Sequence, residues 1–479
     1  METGKLTALF CERTLQAFRK RKILELSPAP DYAAPTFRRM RTETNRHPTF
    51  KEALHFWLKL GFISFGGPSG QIAIMHAELV ERRQWISEAR FLHALNYCML
   101  LPGPEATQLA TYIGWLLHKT RGGIVAGTLF VMPSMLILWV LSVIYVNYGK
   151  LAWIASIFYG LKPAVLAIVA AAVLRIGHRA LKNEVLWSIA ALAFAAIYFF
   201  KVPFPLIVFG AAAIGLVGGK LWRKKFLVVG AEPSRGPVGS EMIISDEAEA
   251  SPAHTKPSLA RAVKVCVVCL FLWLAPVGLL GWWLGTDHAL FREGIFFSKA
   301  AMVTFGGAYA VLPYVAQRAV GHYQWLSAEQ MLDGLGLAET TPGPLIMVLQ
   351  FVGFLGGWKF HDPLSPFAAA TLGAFITTWT TFVPCFLWIF LGAPHIEQLR
   401  GKIWLTTALS AVTAAVVGVI LNLAVWFGQH VLWPEAGRVD CFAVVVGLAA
   451  FVGIWKWNWN IVPVVLGAGL LGLTYRLVL

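Results

Sequence analysis

Runs of about twenty apolar residues recur along this chain, and nothing else in the sequence constrains its fold as strongly. The plainest cover 123–147, 155–176, 203–219, 263–285, 403–428 and 460–479. A helix rises about 1.5 Å per residue, so a run of that length crosses the ~30 Å hydrocarbon layer. Inside that layer no water satisfies backbone N–H and C=O groups, which leaves helices or a closed barrel. The runs lack the two-residue alternation of barrel strands, so they are read as helices. Composition agrees: 14% of residues are charged, against about 25% in an ordinary soluble domain, and mean hydropathy is +0.64. The fold class expected is an all-α polytopic membrane protein.

The apolar runs belong to two related halves. Phe65-Gly66-Gly67 recurs as Phe305-Gly306-Gly307, Gln84-Trp85 as Gln324-Trp325, and Ser87 as Ser327. Pro102-Gly103-Pro104 recurs as Pro342-Gly343-Pro344, and Lys59 as Lys299. All these pairs stand 240 residues apart, a self-similarity that marks an internal repeat. Leu161–Ala171 resembles Leu405–Ala415 more weakly. The expected organisation is a basic tail at 1–50, a first repeat at 51–221, a polar linker at 222–262, an extra helix at 263–285 and a second repeat at 286–479. Six apolar segments fill the first half, at about 54–76, 90–117, 123–147, 155–176, 185–200 and 203–220. With the extra helix, about thirteen segments result, and an even count per half makes the repeat inverted. An odd count would make it parallel.

Charge follows the spans. Arg19, Lys20, Arg21, Lys22, Arg38, Arg39 and Arg41 precede the first run, and Lys220, Arg223, Lys224 and Lys225 follow the sixth. Positive flanks stay cytoplasmic, so the net charge of +15 signals topology and not nucleic acid. Arg175, Arg179 and Lys182 fall inside on this scheme, while Asp287, Glu293, Asp362, Glu435 and Asp440 fall in outer loops. Arg82 and Arg83 run against it if 54–76 crosses fully. The first apolar run begins near Leu54, too late for a cleavable leader. Cys266 and Cys269 sit inside a span without a second ligand pair and read as ordinary helix residues; no metal or cofactor is expected. There is no GxxxxGK[ST] loop, HExxH or GxSxG element, which leaves little basis for an ATPase or a membrane hydrolase.

Chemistry concentrates at two breaks in each half. Gly66-Gly67-Pro68-Ser69-Gly70-Gln71 pairs with Gly306-Gly307, and Pro102-Gly103-Pro104-Glu105 with Pro342-Gly343-Pro344. Gly-Pro sequences interrupt helices, and interrupted backbone at membrane depth survives only where protein buries it or water reaches it. A half-helix N-terminus offers free N–H groups and partial positive charge, which suits an anion. Gln71, Gln108, Ser69 and Thr107 add donors; Lys59 and Lys299 add charge. Glu105 and Glu339 are the acids beside the breaks, candidates for proton coupling or a gate, or for helix capping. Arg82, Arg83 and Arg90 serve either to attract anions or to contact lipid headgroups. Lys162 is expected to snorkel, and Gly123 with Gly127 to pack helices.

The run Phe65-Gly66-Gly67-Pro68, then Glu81-Arg82-Arg83-Gln84-Trp85-Ile86-Ser87, then Leu101-Pro102-Gly103-Pro104-Glu105-Ala106 and Tyr112-Ile113-Gly114, resembles the chromate transporter (CHR) family. Thr304-Phe305-Gly306-Gly307, Trp325-Leu326-Ser327 and Thr341-Pro342-Gly343-Pro344 resemble the same motifs, as in the family's long two-domain form. The resemblance implies a bacterial inner-membrane protein that exports chromate and confers resistance. Ala308 and Leu345 replace the Pro68 and Glu105 of the first half, so the halves are expected to contribute unequally. Sulfate, also a tetrahedral dianion, is the alternative cargo. A membrane-embedded enzyme or lipid-handling protein is the minor one. Membrane lipid is the other expected partner, and a homodimer is compatible with the sequence.

Overall fold

The computed structural model describes residues 47–226, 258–395, 403–434 and 438–478. Most of the expected basic tail and linker, and Glu435, lie outside them. In chain order the helices are α1 (Phe50–Ile63), α2 (Gly67–His76), α3 (Glu88–Cys98), α4 (Glu105–Tyr148), α5 (Ala152–Ala180), α6 (Glu184–Tyr198), α7 (Phe204–Leu221) and the short α8 (Arg223–Phe226). Then come α9 (Leu259–Leu284), α10 (Ala289–Val303), α11 (Ala308–Ala316), α12 (Ala328–Thr340), α13 (Val348–Lys359), α14 (Pro366–Gly392), α15 (Ile403–Leu432), α16 (Cys441–Lys456) and α17 (Ile461–Val478). Seven of these described helices are long and apolar enough to cross a membrane, and the chain is an all-α polytopic membrane protein. Helix α9, where an extra helix was expected, is apolar beyond Arg261 and Lys264 of its first turns and exposes Val267, Phe271 and Trp282, the signature of a lipid-facing surface.

Details of backbone recur at the sequence offset. A π-helical turn extends α2 over Ala77–Arg82 and α11 over Gln317–His322. Each is followed by a glutamine at positive φ, 52° at Gln84 and 53° at Gln324. The next helix in each half starts from a serine cap: Arg90 N–H donates to Ser87 Oγ, and Gln330 N–H to Ser327 Oγ, both at 3.1 Å.

Helix α4 would reach about 66 Å if straight, twice the hydrocarbon thickness. It is not straight, because His118 and Lys119 leave helical φ/ψ. The limbs 105–117 and 120–148 fold back on each other along small residues, so that a Cβ on Gly122 would stand 2.2 Å from the Gly114 carbonyl oxygen. Gly123 and Gly127 sit in the same seam against Thr111 and the rings of Phe390 and Phe386. The second half builds this hairpin from α13 and α14, where a Cβ on Gly373 would lie 2.2 Å from Gly353 O. Gly373→Val should therefore force two backbones apart, costing about 3 kcal/mol of stability; a thermal melt in detergent at the wild-type midpoint would refute this.

Two groups of helices result. In a core group, α1 packs on α4, α9 and α10 on α14, and α14 on both α13 and α4. Gln350 Nε2 ties α13 to α4 by donating to Met135 O at 2.8 Å. In a frame group, α5 packs on α16 and α17, and α15 on α5, α6 and α7. Tyr159 O–H donates to Asp440 Oδ2 at 2.7 Å within it.

Two side chains depart from the sequence reading. Glu293, counted among the loop acids, lies inside α10 and is fully buried, with Gly356, Gly373 and Trp325 around its carboxyl group. The helix begins at Ala289, which carries Glu293 into its second turn and inward. Lys162 reaches a surface partner that the sequence reading lacked, the exposed Glu329 of α12 at 3.2 Å.

Candidate functional site

Each sequence break is a break in a helix. Gly66 and Gly67 adopt φ of 88° and 68°, and Gly306 and Gly307 adopt 78° and 91°. Gly103 stands at 122° and Gly343 at 104°. L-residues with a Cβ pay about 1–2 kcal/mol in left-handed conformations, which accounts for glycine at these turns. After each turn a new helix begins: α2 at Gly67, α4 at Glu105, α11 at Ala308, and a 3₁₀ turn Leu345–Met347 that leads into α13. None of these four N-termini carries a side-chain cap. Their first N–H groups remain open to a ligand.

The halves complete each other. Gly103 N–H donates to Thr304 O at 2.8 Å, and Gly343 N–H donates to Ser64 O at 2.7 Å. The carbonyl freed where α1 or α10 stops is thus satisfied by the Pro-Gly-Pro turn of the opposite half. Gln71 Nε2 donates to Gly343 O, a further crossing contact. Gln108 Nε2 holds its own turn by donating to Pro102 O at 2.8 Å. Gly70 is required by packing, since a Cβ there would come 2.8 Å from Phe65 O.

Between the four termini lies a small open cleft, with room for about one water molecule as it stands. Pro68 and Gln71 line it from α2, Pro104, Glu105 and Ala106 from α4, Ala308 from α11, and Pro344, Leu345 and Ile346 from the 3₁₀ turn. This lining contains no Lys or Arg, and Glu105 is its one charged residue. The buried Oε1 atoms of Gln71 and Gln108 and the hydroxyl of Thr107 find no partner among the described residues. Ser69 lies in the first turn of α2, beside Pro68.

The other residues singled out in the sequence stand apart from this pocket. Lys59 and Lys299 are exposed on α1 and α10. Arg82 reaches Glu78 at 2.5 Å and Arg83 the same carboxylate at 3.6 Å. Arg83 also lies over the rings of Phe56 and Trp85, at 4.9 and 5.0 Å. Glu339 is buried just before the second Pro-Gly-Pro turn and accepts from Tyr309 O–H at 2.5 Å. Pro342 and Pro102 shape their turns without lining the pocket.

Ser64 and Thr304 were not picked out as site residues. Their hydroxyls donate back one helical turn, Ser64 Oγ to Leu60 O at 2.6 Å and Thr304 Oγ1 to Ala300 O at 2.7 Å, while their carbonyls take the glycine of the other half. The signal was present, because a hydroxyl residue precedes both Phe-Gly-Gly motifs at the same offset.

Fold and site together define a polytopic membrane protein organised around broken helices from two repeats, the construction of many secondary transporters. The chromate transporter family model matches residues 51–216 and 291–473, and the chain belongs to that family, a family of transporters and not of enzymes. It is 32% identical over 425 residues to a chromate transport protein of Pseudomonas aeruginosa, covering 87% of this chain and 90% of that one. It is 28% identical over 431 residues to a chromate transport protein of Cupriavidus metallidurans, covering 89% and 93%. No solved structure matches the chain.

Proposed function

We propose that this chain exports chromate from the cytoplasm across a bacterial inner membrane, holding the oxyanion between its four broken helices. The observation that carries this reading is the convergence of four uncapped helix N-termini on one pocket free of cationic side chains. Each terminus contributes about 0.3–1 kcal/mol per unit charge, and up to ~2 when partly buried. Four together, acting on a dianion, offset part of its dehydration without the tight grip of a buried Lys or Arg. A carrier must also release its cargo.

The membrane potential favours this direction. Moving one charge through 100 mV is worth about 2.3 kcal/mol, so a departing dianion gains about 4.6 kcal/mol, or roughly three decades in concentration. The element order supports two six-segment halves with α9 between them, about thirteen segments in all, as an inverted repeat with the N-terminal tail and linker cytoplasmic. Sulfate is the second reading, favoured by the same observation: backbone N–H groups read the shape and charge that the two anions share.

Flux measured in inside-out vesicles at a set potential tests the assignment. Saturable chromate uptake that sulfate inhibits is expected. A folded, membrane-inserted protein that carries no chromate would overturn the cargo.

A further inference from the structure

The two halves repeat in sequence, yet they are not packed alike. In the second half α11 is buried at every residue but Tyr309. In the first half its counterpart α2 buries, among described side chains, only Gln71 and Met75. Met99 is 48% exposed, whereas Glu339, 240 positions on, is 4% exposed. The difference arises against the frame. Helix α12 packs along α5 and α17, and α11 along α15. The reciprocal pairs, α3 with α15 and α7, and α2 with α5, meet at most in glancing contact.

The seam on the packed side is specific. Lys162 of α5 meets Glu329 of α12 at 3.2 Å, and beside it Tyr145 O–H, from α4, donates to Asp333 Oδ2 of α12 at 2.8 Å. Gly336 lies against Leu161 and Val165. The first-half counterparts of Glu329, Asp333 and Glu339 are Ala89, His93 and Met99, so the reciprocal seam has no acids at those positions.

We propose that the α12–α5 seam is the closed gate of the pocket, that the α3–α15 side is its open gate, and that transport exchanges them. This rests on the oxyanion-carrier reading above. Repeats related by a pseudo-two-fold axis have two near-equivalent packings against a frame, and an asymmetric structure is one of the pair. In the other, α3 would take on α15 the place that α12 holds on α5, and the pocket would face the opposite side. Leu161, Lys162, Glu329 and Gly336 are then gate residues, acting on access and not on the anion. The charged seam closes one gate only, so the two closed states differ in stability and the resting protein favours the one seen here.

Cysteine pairs test this in a background whose native cysteines are replaced. A Cβ on Gly336 would stand 3.7 Å from Leu161 Cβ, within the ~3.5–4.5 Å of a disulfide. Oxidising a Leu161→Cys, Gly336→Cys protein should lower chromate flux at least tenfold, with full recovery in reductant. The reciprocal pair, Asn96→Cys with Leu405→Cys, is open in this structure and should also cross-link in membranes, as the opposite state is sampled. Cross-linking is read by mass, so this second arm is scored whatever the cargo proves to be. Unchanged flux through the oxidised first pair, or no cross-link in the second, would overturn the gate. Absence of chromate and sulfate flux in the parent protein would instead overturn the carrier reading.

Discussion

Gly67→Leu is expected to lower oxyanion flux by about a hundredfold, ~2.7 kcal/mol, while leaving the protein folded. The position separates function from packing unusually well. A Cβ on Gly67 meets nothing within 4 Å, whereas one on Gly343 would strike Ser134 Cβ at 2.5 Å, and one on Gly103 would come 2.9 Å from Gln108 Nε2. Leucine at 67 therefore adds only the left-handed backbone penalty of about 1–2 kcal/mol. The added bulk enters at the first residue of α2, next to Pro68 of the pocket lining, and is expected to hinder an anion approaching that terminus. Flux in proteoliposomes, alongside a thermal melt, checks both halves of the expectation. Wild-type flux in a well-folded variant would mean that the anion never approaches this terminus.

Glu105→Gln should raise oxyanion affinity about tenfold or more at alkaline pH and flatten its pH dependence. The magnitudes decide the sign. A carboxylate about 4 Å from a dianion, at an effective dielectric near 20, opposes it by roughly 8 kcal/mol. Four helix termini at about 1 kcal/mol per unit charge supply roughly as much for a dianion. An ionised Glu105 therefore cancels what the termini provide, and binding in the wild type should weaken as pH rises and Glu105 loses its proton. The glutamine variant keeps the shape and removes the charge. Because chromate itself takes up a proton on acidification, the comparison is between the two proteins at each pH. Parallel affinity profiles would show that Glu105 does not face the bound anion.

Much of this was legible in the residues, for a physical reason. Helix breaks must be written locally, in Gly and Pro, because left-handed turns and missing N–H donors have no other source. Hence Gly66, Gly67, Gly103, Gly306, Gly307 and Gly343 all stand where the chain turns. Partners across the fold are not written locally. Nothing in the spacing of Lys162 reveals that Glu329, 167 residues on, meets it, whereas Glu78 with Arg82 is an i,i+4 pair that the sequence does write locally. Lys59 and Lys299 kept the repeat offset but sit on exposed helix faces, since periodicity within a short helix does not tell a lipid-facing stripe from a ligand-facing one. Glu293 was misread because an acid near the end of an apolar run resembles a loop residue until the helix start is known.

The exchange of glycine N–H groups and carbonyls between the halves also bears on how the protein is made. Translation delivers Ser64 and Gly103 to the membrane well before Thr304 and Gly343 exist. Until they arrive, the first half holds an orphan carbonyl and an orphan N–H at membrane depth, each costing several kcal/mol where water is excluded. A chain halted in the linker would keep those orphans permanently. Completion of the second half is thus what pairs the backbone groups that the first half alone leaves open.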